Sequence, residues 1–327
     1  MNLVKFNPIL EEYIAAVNPT ATQDATINSA LVSILGLMLS EFSDAEGYAQ
    51  GSYATDTLVK PLTAAQSSNG VAGEYDIDIV VERANWGSPV DALDFVGSVL
   101  EGDPRYNKMP IDKTKNSCVR IEYAEDSTGV RFHVDIVPTK LENGIRFVAD
   151  REQGEWKPSD AKLFAERFNQ EVDQTPALRS LAIILKRLRD RNGLTDNLKS
   201  ILVLTLVLGC YAPQGSLMGN LSALLESIKR VLGPAGTPPP VINNPVNSDE
   251  DLMSGVKDIE DLREFFAKLN DSLVTALAQD DSELLKGIFG PGFNYLQDTN
   301  AEVNAAPAAM LATTIRPARA YGGYALD

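Results

Sequence analysis

The chain is short of the residues that mark several protein classes. It has 327 residues and only two cysteines, Cys118 and Cys210. Two cysteines make no disulfide framework, so they read as reduced thiols of a cytosolic protein. Basic residues are outnumbered, with Lys+Arg 29 against Asp+Glu 45 and a net charge of −16. A chain that acidic is a poor long-range trap for nucleic acid or an anionic membrane, which disfavours extended nucleic-acid binding. A locally basic pocket, or a site where metal ions screen a phosphate substrate, remains compatible with it. Long apolar runs are missing too. The most apolar stretch, Ile201 to Tyr211, is far shorter than the roughly 20 residues of a membrane span. The first residues, MNLVKFNPILEEYIAAVNP, contain no apolar core of signal-peptide type. These shortages point to a cytoplasmic chain with no membrane partner.

What is present is an ordinary globular composition, 44% hydrophobic and 23% charged. The length suits about two domains of roughly 100–200 residues each. Apolar periodicity from Thr22 to Phe42 predicts a long amphipathic helix, with Asn18-Pro19-Thr20 as its stop and cap signal. Alternation predicts strands over Glu74–Glu82, Ser117–Tyr123 and Val130–Val137. The last two should form an antiparallel hairpin through Asp126-Ser127-Thr128-Gly129. A helix is expected from Pro89 to Glu101 and an edge strand over Ile145–Ala149. After Trp156 only helices are expected: 159–170, 176–191, 197–210, 217–232 and 256–289, with a proline-rich break at 233–240. The reading is therefore an α+β catalytic half over 1–155, including the long N-terminal helix, an α-helical lobe over 156–300, and a mobile tail over 301–327.

The chemistry concentrates in three places. Asp76 and Asp78 lie two apart on one predicted strand and share a face, about 7 Å apart. Asp135 lies in Phe132-His133-Val134-Asp135-Ile136-Val137, a strand otherwise fit for burial, where a carboxylate is costly unless paired or bound to metal. Three carboxylates from neighbouring strands are what a two-metal phosphoryl-transfer site requires. Mg²⁺ would complete its shell with water and substrate phosphates. The Gly51-Ser52 turn supplies the other half. Glycine allows close approach of a phosphate, and Ser52 is placed to cap a helix whose N–H groups face an anion. Taken singly, each element has a bland reading: a solvated strand face, a turn, an edge carboxylate. His133 is read as structural, facing away from Asp135.

Gly51-Ser52-Tyr53-Ala54-Thr55-Asp56-Thr57, Tyr75-Asp76-Ile77-Asp78-Ile79-Val80 and Val134-Asp135-Ile136-Val137-Pro138 together resemble the signature of the polymerase-β-like nucleotidyltransferase superfamily. Within it the chain resembles the bacterial cGAS/DncV-like nucleotidyltransferases (CD-NTases). Leu185-Lys186-Arg187-Leu188-Arg189, Leu198-Lys199-Ser200-Ile201-Leu202, Val241 to Asn247 and Asp251-Leu252 resemble the helical lobe of that group. The resemblance spans most of residues 20–290. The loop between Pro61 and Glu74 and the segment after residue 300 depart from it.

The resemblance implies a nucleotidyltransferase core, a mixed or antiparallel sheet with helices, joined to an α-helical lobe across a substrate cleft. Asp76 and Asp78 would hold two Mg²⁺ or Mn²⁺ ions, and Asp135 the ion that activates the attacking hydroxyl. Gly51 and Ser52 would meet the donor triphosphate, with Lys186 and Ser200 reaching it from the helical lobe. Trp156 is read as a lobe-junction anchor, Tyr211 as a weak candidate for base stacking and Asn244-Pro245 as a structural turn. The implied activity is synthesis of a cyclic di- or trinucleotide from ATP and/or GTP, in anti-phage defence, with a downstream effector that binds the product. A linear-product nucleotidyltransferase would share every one of these residues. A catalytically inactive NTP-binding regulator is opposed by the three intact carboxylates.

Overall fold

The structure is a computed structural model and describes residues 3–42, 44–67, 70, 72–125 and 131–294. The 126–129 turn and the tail from 301 therefore lie outside the described residues. Helix α1 spans Asn7–Val17 and α2 spans Ala21–Glu41. Thr20 starts α2 with a capping box: its hydroxyl accepts from Gln23 N, and the Gln23 side chain accepts from Thr20 N. Strand β1 (Glu46–Gln50) runs into the single helical turn α3 (Gly51–Ala54). Then come β2 (Glu74–Glu82) and α4 (Pro89–Gly102), the latter opened by Ser88 and Asp91 in a second capping box. Strands β3 (Ile111–Asp112), β4 (Val119–Tyr123), β5 (Arg131–Glu142), β6 (Ile145–Asp150) and β7 (Glu155–Pro158) follow.

The seven strands make one mixed sheet. Its path is β1-β2-β5-β4-β3, with β6 joining β5 and β7 joining β6. Strands β2 and β5 are parallel, while β4 and β5 are antiparallel. Strand β5 is central, paired on one side to β2 and on the other first to β4 and then to β6. That position buries eight consecutive residues, Phe132 to Thr139. Three strands of this sheet were not legible from the sequence, among them the two-residue β3 (Ile111–Asp112). β1 reads EGYAQ and β7 reads EWKP, both too short and too polar to show alternation. Because β7 pairs with it, β6 is not the edge strand expected.

Tyr75, Ile77, Ile79, Phe132, Val134 and Ile136 turn one sheet face toward α2 and α4. They form a core with Ile27, Leu31, Ile34, Leu93 and Val96. Strand alternation then sends residues 76, 78, 133 and 135 to the opposite face.

The second half is helical. It contains α5 (Ala161–Gln174), α6 (Ala177–Arg191), α7 (Ser200–Cys210) and α8 (Leu217–Leu232). A hairpin of β8 (Asn243–Asn244) and β9 (Asn247–Asp251) precedes α9 (Ile259–Gln279) and α10 (Ser282–Phe289). Asn244 accepts from Val246 N and donates to Glu250, so Asn244-Pro245 is a structural turn. Leu181, Ile184, Leu188, Val203, Val207, Leu225, Phe266 and Leu273 build a separate core. Phe6, Leu10, Tyr13 and Val17 join this helical core, although they precede the sheet in sequence. Their apolar spacing along α1 buries one face against α6 and α8. Among the described residues no helix is long and apolar enough to cross a membrane.

Candidate active site

Between the sheet and the helical half lies a cleft of about 680 Å³. Gly51, Ser52, Asp76 and Asp78 line its sheet side, and Lys186, Arg189, Lys199 and Ser200 line its helical side. Its apolar wall includes Leu58, Val59, Leu62, Phe164, Ile201 and Leu204. Leu62, Ala72 and Gly73 come from the loop that departs from the family pattern. That loop is closed on itself by Gly73 N donating to Leu62 O at 2.8 Å.

Register sets the carboxylates. On the parallel pair β2/β5, Asp78 is opposite Asp135 and Asp76 is opposite His133. On β4, Arg120 is opposite Asp135. One row across three strands is therefore Asp78–Asp135–Arg120, and the next begins Asp76–His133. Arg120 forks onto Asp135, with Nε donating to Oδ1 at 2.7 Å and Nη2 to Oδ2 at 2.8 Å. His133 Nε2 lies 2.6 Å from Asp76 Oδ1. Ligand atoms of Asp76, His133 and Asp135 all fall within 4.8 Å of one another. His133 thus does not face away from Asp135. Residues two apart on a strand share a face, so the alternation that joined Asp76 to Asp78 also joins His133 to Asp135.

The electrostatics are uneven. Burial pushes the Asp76 carboxyl up, but the hydrogen bond and charge of His133, with Arg120 and Lys115, outweigh it and hold it below the usual range. The hydrogen bond to Asp135 raises the Arg120 guanidinium further. Asp78, beside Asp76 on β2 and opposite Asp135, has no such partner among the described residues. Burial, and then the charges of Asp76 and Asp135, push it up to about 7. The centre therefore has an excess of negative charge, which a divalent cation bound by hard carboxylate oxygens would relieve.

Gly51 has φ +65°, a backbone conformation that favours glycine, and a Cβ there would lie 2.5 Å from Asp78 Oδ2. Its lack of a side chain thus makes room for the carboxylate. Ser52 does not cap a helix. The turn begins at Gly51, Gln50 occupies the cap position without a side-chain bond, and four residues carry little dipole. Instead the Ser52 hydroxyl accepts a 2.6 Å hydrogen bond from Lys186 Nζ, which also donates to Thr57 O at 2.7 Å. Lys186 is only 2% exposed. Burial, reinforced by Arg189, lowers its ammonium to about 7.

Ser200, the first residue of α7, lines the cleft and accepts from Arg189 Nη1 at 3.1 Å. Arg189 is further tied to Asp190 and Leu198 O. Arg120 and Arg189 are the site residues that the sequence reading passed over. Arg120 was detectable as the cross-strand neighbour of Asp135 only once the hairpin register was known. Trp156 packs on the sheet core, and its Nε1 donates to Gly87 O, so it anchors β7 rather than the junction of the lobes. Tyr211 packs against the helical core and is not among the residues lining the cleft.

A mixed sheet with carboxylates on adjacent central strands, closed by a helical lobe carrying a buried lysine, defines a nucleotidyltransferase of the polymerase-β-like fold. The sequence model of the Second Messenger Oligonucleotide or Dinucleotide Synthetase (SMODS) domain matches residues 4–171, and the chain belongs to that family, the bacterial cGAS/DncV-like nucleotidyltransferases. No curated protein sequence matches it significantly. Solved structures share the fold at low identity. The CD-NTase CdnG of Bradyrhizobium diazoefficiens, in complex with GTP, is 17% identical with a TM-score of 0.65, covering 87% of this chain and 94% of its own. Escherichia coli DncV, in a 3′-deoxy GTP bound form, is 20% identical with a TM-score of 0.60 over 77% of this chain and 70% of its own. The Vibrio cholerae DncV cyclic AMP-GMP synthase is 22% identical with a TM-score of 0.58 over the same shares.

Proposed function

We propose that the chain condenses nucleoside triphosphates into a cyclic di- or trinucleotide messenger, releasing pyrophosphate, with ATP and/or GTP as substrates. The single observation that carries this reading is the facing of two charge sets across one cleft. Asp76 and Asp78 line the sheet wall, with Asp135 opposite Asp78 on the next strand, and Lys186 meets Ser52 from the helical lobe. Family membership supports the class of product, and the GTP of the CdnG structure and the 3′-deoxy GTP of the DncV structure support the substrate class.

Asp76, Asp78 and Asp135 are the residues that would hold two Mg²⁺ or Mn²⁺ ions, and the uncompensated charge at Asp78 fits such a cofactor. Bound there, the ions would neutralise triphosphate charge and make an acceptor hydroxyl more acidic. The chain's own groups do the rest. Ser52 and Lys186 bind and orient the terminal phosphates of the donor, and Ser200 closes on them from α7. The apolar wall of Leu58, Leu62, Phe164 and Leu204 shields the reacting phosphorus from water. Arg120 holds Asp135 in one rotamer. The division into a catalytic half, a helical lobe and a tail after residue 300 is part of the proposal, as are the role in anti-phage signalling and the effector that reads the product.

The test is incubation of the purified chain with each labelled NTP, singly and mixed, with Mg²⁺ or Mn²⁺. The expected main product resists alkaline phosphatase and forms without added DNA or RNA. A phosphatase-sensitive ladder would replace this reading with linear synthesis.

A further inference from the structure

His133 is the one histidine in the chain, and the reaction outlined above leaves it without a task. Its surroundings assign one. Its side chain is 5% exposed, packed on the central strand β5, while the Asp76 side chain it faces is 63% exposed at the rim of the cleft. An exposed aspartate beside two like charges, Asp78 and Asp135, is driven by repulsion toward rotamers that point into solvent. Arg120 Nη2 opposes this at 3.7 Å, and the short contact that does so is the 2.6 Å one from His133 Nε2 to Asp76 Oδ1, fixed by their direct opposition across β2 and β5. A carboxylate offers only acceptor oxygens, so in this 2.6 Å contact Nε2 is the nitrogen that carries the proton and donates it. The other ring nitrogen, Nδ1, is buried with no hydrogen-bond partner among the described residues and lies at ion-pair distance, 3.4 Å, from Glu74 Oε1. The ring therefore makes one directed bond, and it goes to Asp76.

We propose that His133 is the positioning residue for Asp76, holding its carboxylate beside Asp135 in the arrangement that receives a divalent cation. Arg120 does the same for Asp135, so both outer carboxylates are oriented in advance while Asp78 is left for the cation. The inference rests on the assignment of Asp76 as a metal ligand made above.

The experiment is a titration of the full chain with Mn²⁺ alone, followed by calorimetry, on wild type, His133→Gln, His133→Phe and Asp76→Asn. His133→Gln keeps an N–H donor at the same reach and should stay within about threefold of wild type. His133→Phe fills the same space without the donor and should bind Mn²⁺ at least about tenfold more weakly. Its kcat should return to near wild type at saturating metal, since only the orientation is lost. Because the chain has a single histidine, ¹⁵N ring spectra report this side chain alone and need no variant. They should show a protonated Nε2 both before and after Mg²⁺ is added. Wild-type Mn²⁺ affinity in His133→Phe overturns the proposal. So does an Nε2 that loses its proton to become a ligand itself. If His133→Phe does not fold, the ring spectra decide. If Asp76→Asn binds Mn²⁺ like wild type, the metal-site assignment itself has failed, which is a different result from loss in Asp76→Asn with none in His133→Phe.

Discussion

The two walls of the cleft are built on different principles. On the sheet side the functional groups are anionic and their placement is a matter of register. Asp76 and Asp78 are fixed relative to His133 and Asp135 by the β2/β5 ladder, whatever the side chains prefer. On the helical side the groups are cationic and their placement is a matter of burial. Lys186 is sealed inside α6 packing and reaches out only through its amine to Ser52 and Thr57. A ladder gives rigid spacing suited to reacting atoms, whereas a long side chain gives reach suited to holding phosphates. The lobes meet where Lys186 touches Ser52, so in the proposed function substrate holding would belong to both.

The contrast can be broken most sharply at the sheet. Asp78→Asn should lower kcat by on the order of a thousandfold, the upper range for loss of preorganised charge stabilisation. It should nevertheless make the metal-free protein more stable. The Asp78 carboxyl is raised to about 7 in the fold, so its ionised form is disfavoured there. That cost is absent below the ordinary carboxylate pKa, grows as pH rises from there to about 7, and is fully present above it. Thermal unfolding in a chelator should therefore show a Tm gain of roughly 2–4 °C or more at pH 8 and none at pH 4. Equal Tm at both pH values would show that the central charge is already balanced.

Asp135→Asn should abolish turnover as well, with the opposite effect on stability. It leaves half-buried Arg120 with only its longer 3.7 Å contact to Asp76, a loss of up to about 3 kcal/mol for a paired charge. Binding of a non-hydrolysable NTP should survive, as measured by calorimetry. Loss of binding equal to that in Asp76→Asn would contradict the separate roles given to the carboxylates.

On the helical wall, Lys186→Met should raise KM by about tenfold to a hundredfold, the worth of a hydrogen bond to a charged group. The protein should remain folded, because a buried amine is replaced by an apolar chain of similar length. Ser52→Ala should cost about tenfold in kcat/KM. Since Ser52 and Lys186 share a bond, the double variant should lose less than the two single losses multiplied together. Strict additivity would mean that the contact is not part of the phosphate site.

The smallest effect is in pH. Lys186 carries its charge below about 7 and loses it above. NTP affinity should therefore decline as pH rises past 7, by at most about tenfold per unit, and Lys186→Met should flatten that part of the profile. A decline that persists in the variant would assign it to another group.

The sequence by itself determined a good deal. Local periodicity was enough for α2, α4 and α5 to α8, because capping boxes and apolar spacing act within a few residues, but it ran α9 and α10 together across the break at Asp280 and missed the β8/β9 hairpin. Alternation alone put Asp76 and Asp78 on one face, and the same rule, applied to residues 133 and 135, would have brought His133 into the site. Other features were settled only in three dimensions. Which strand lies beside β2, and in which register, decides that Asp78 meets Asp135 and Asp76 meets His133. The side of α6 that packs inward decides that Lys186 reaches Ser52 from 134 residues away. The attachment of α1 to the helical core, the short strands β1 and β7, and the fork of Arg120 on Asp135 belong to the same class. Each joins segments far apart in the chain, and their pairing is set by the burial and hydrogen bonding of both partners together, which neither segment carries in its own residues.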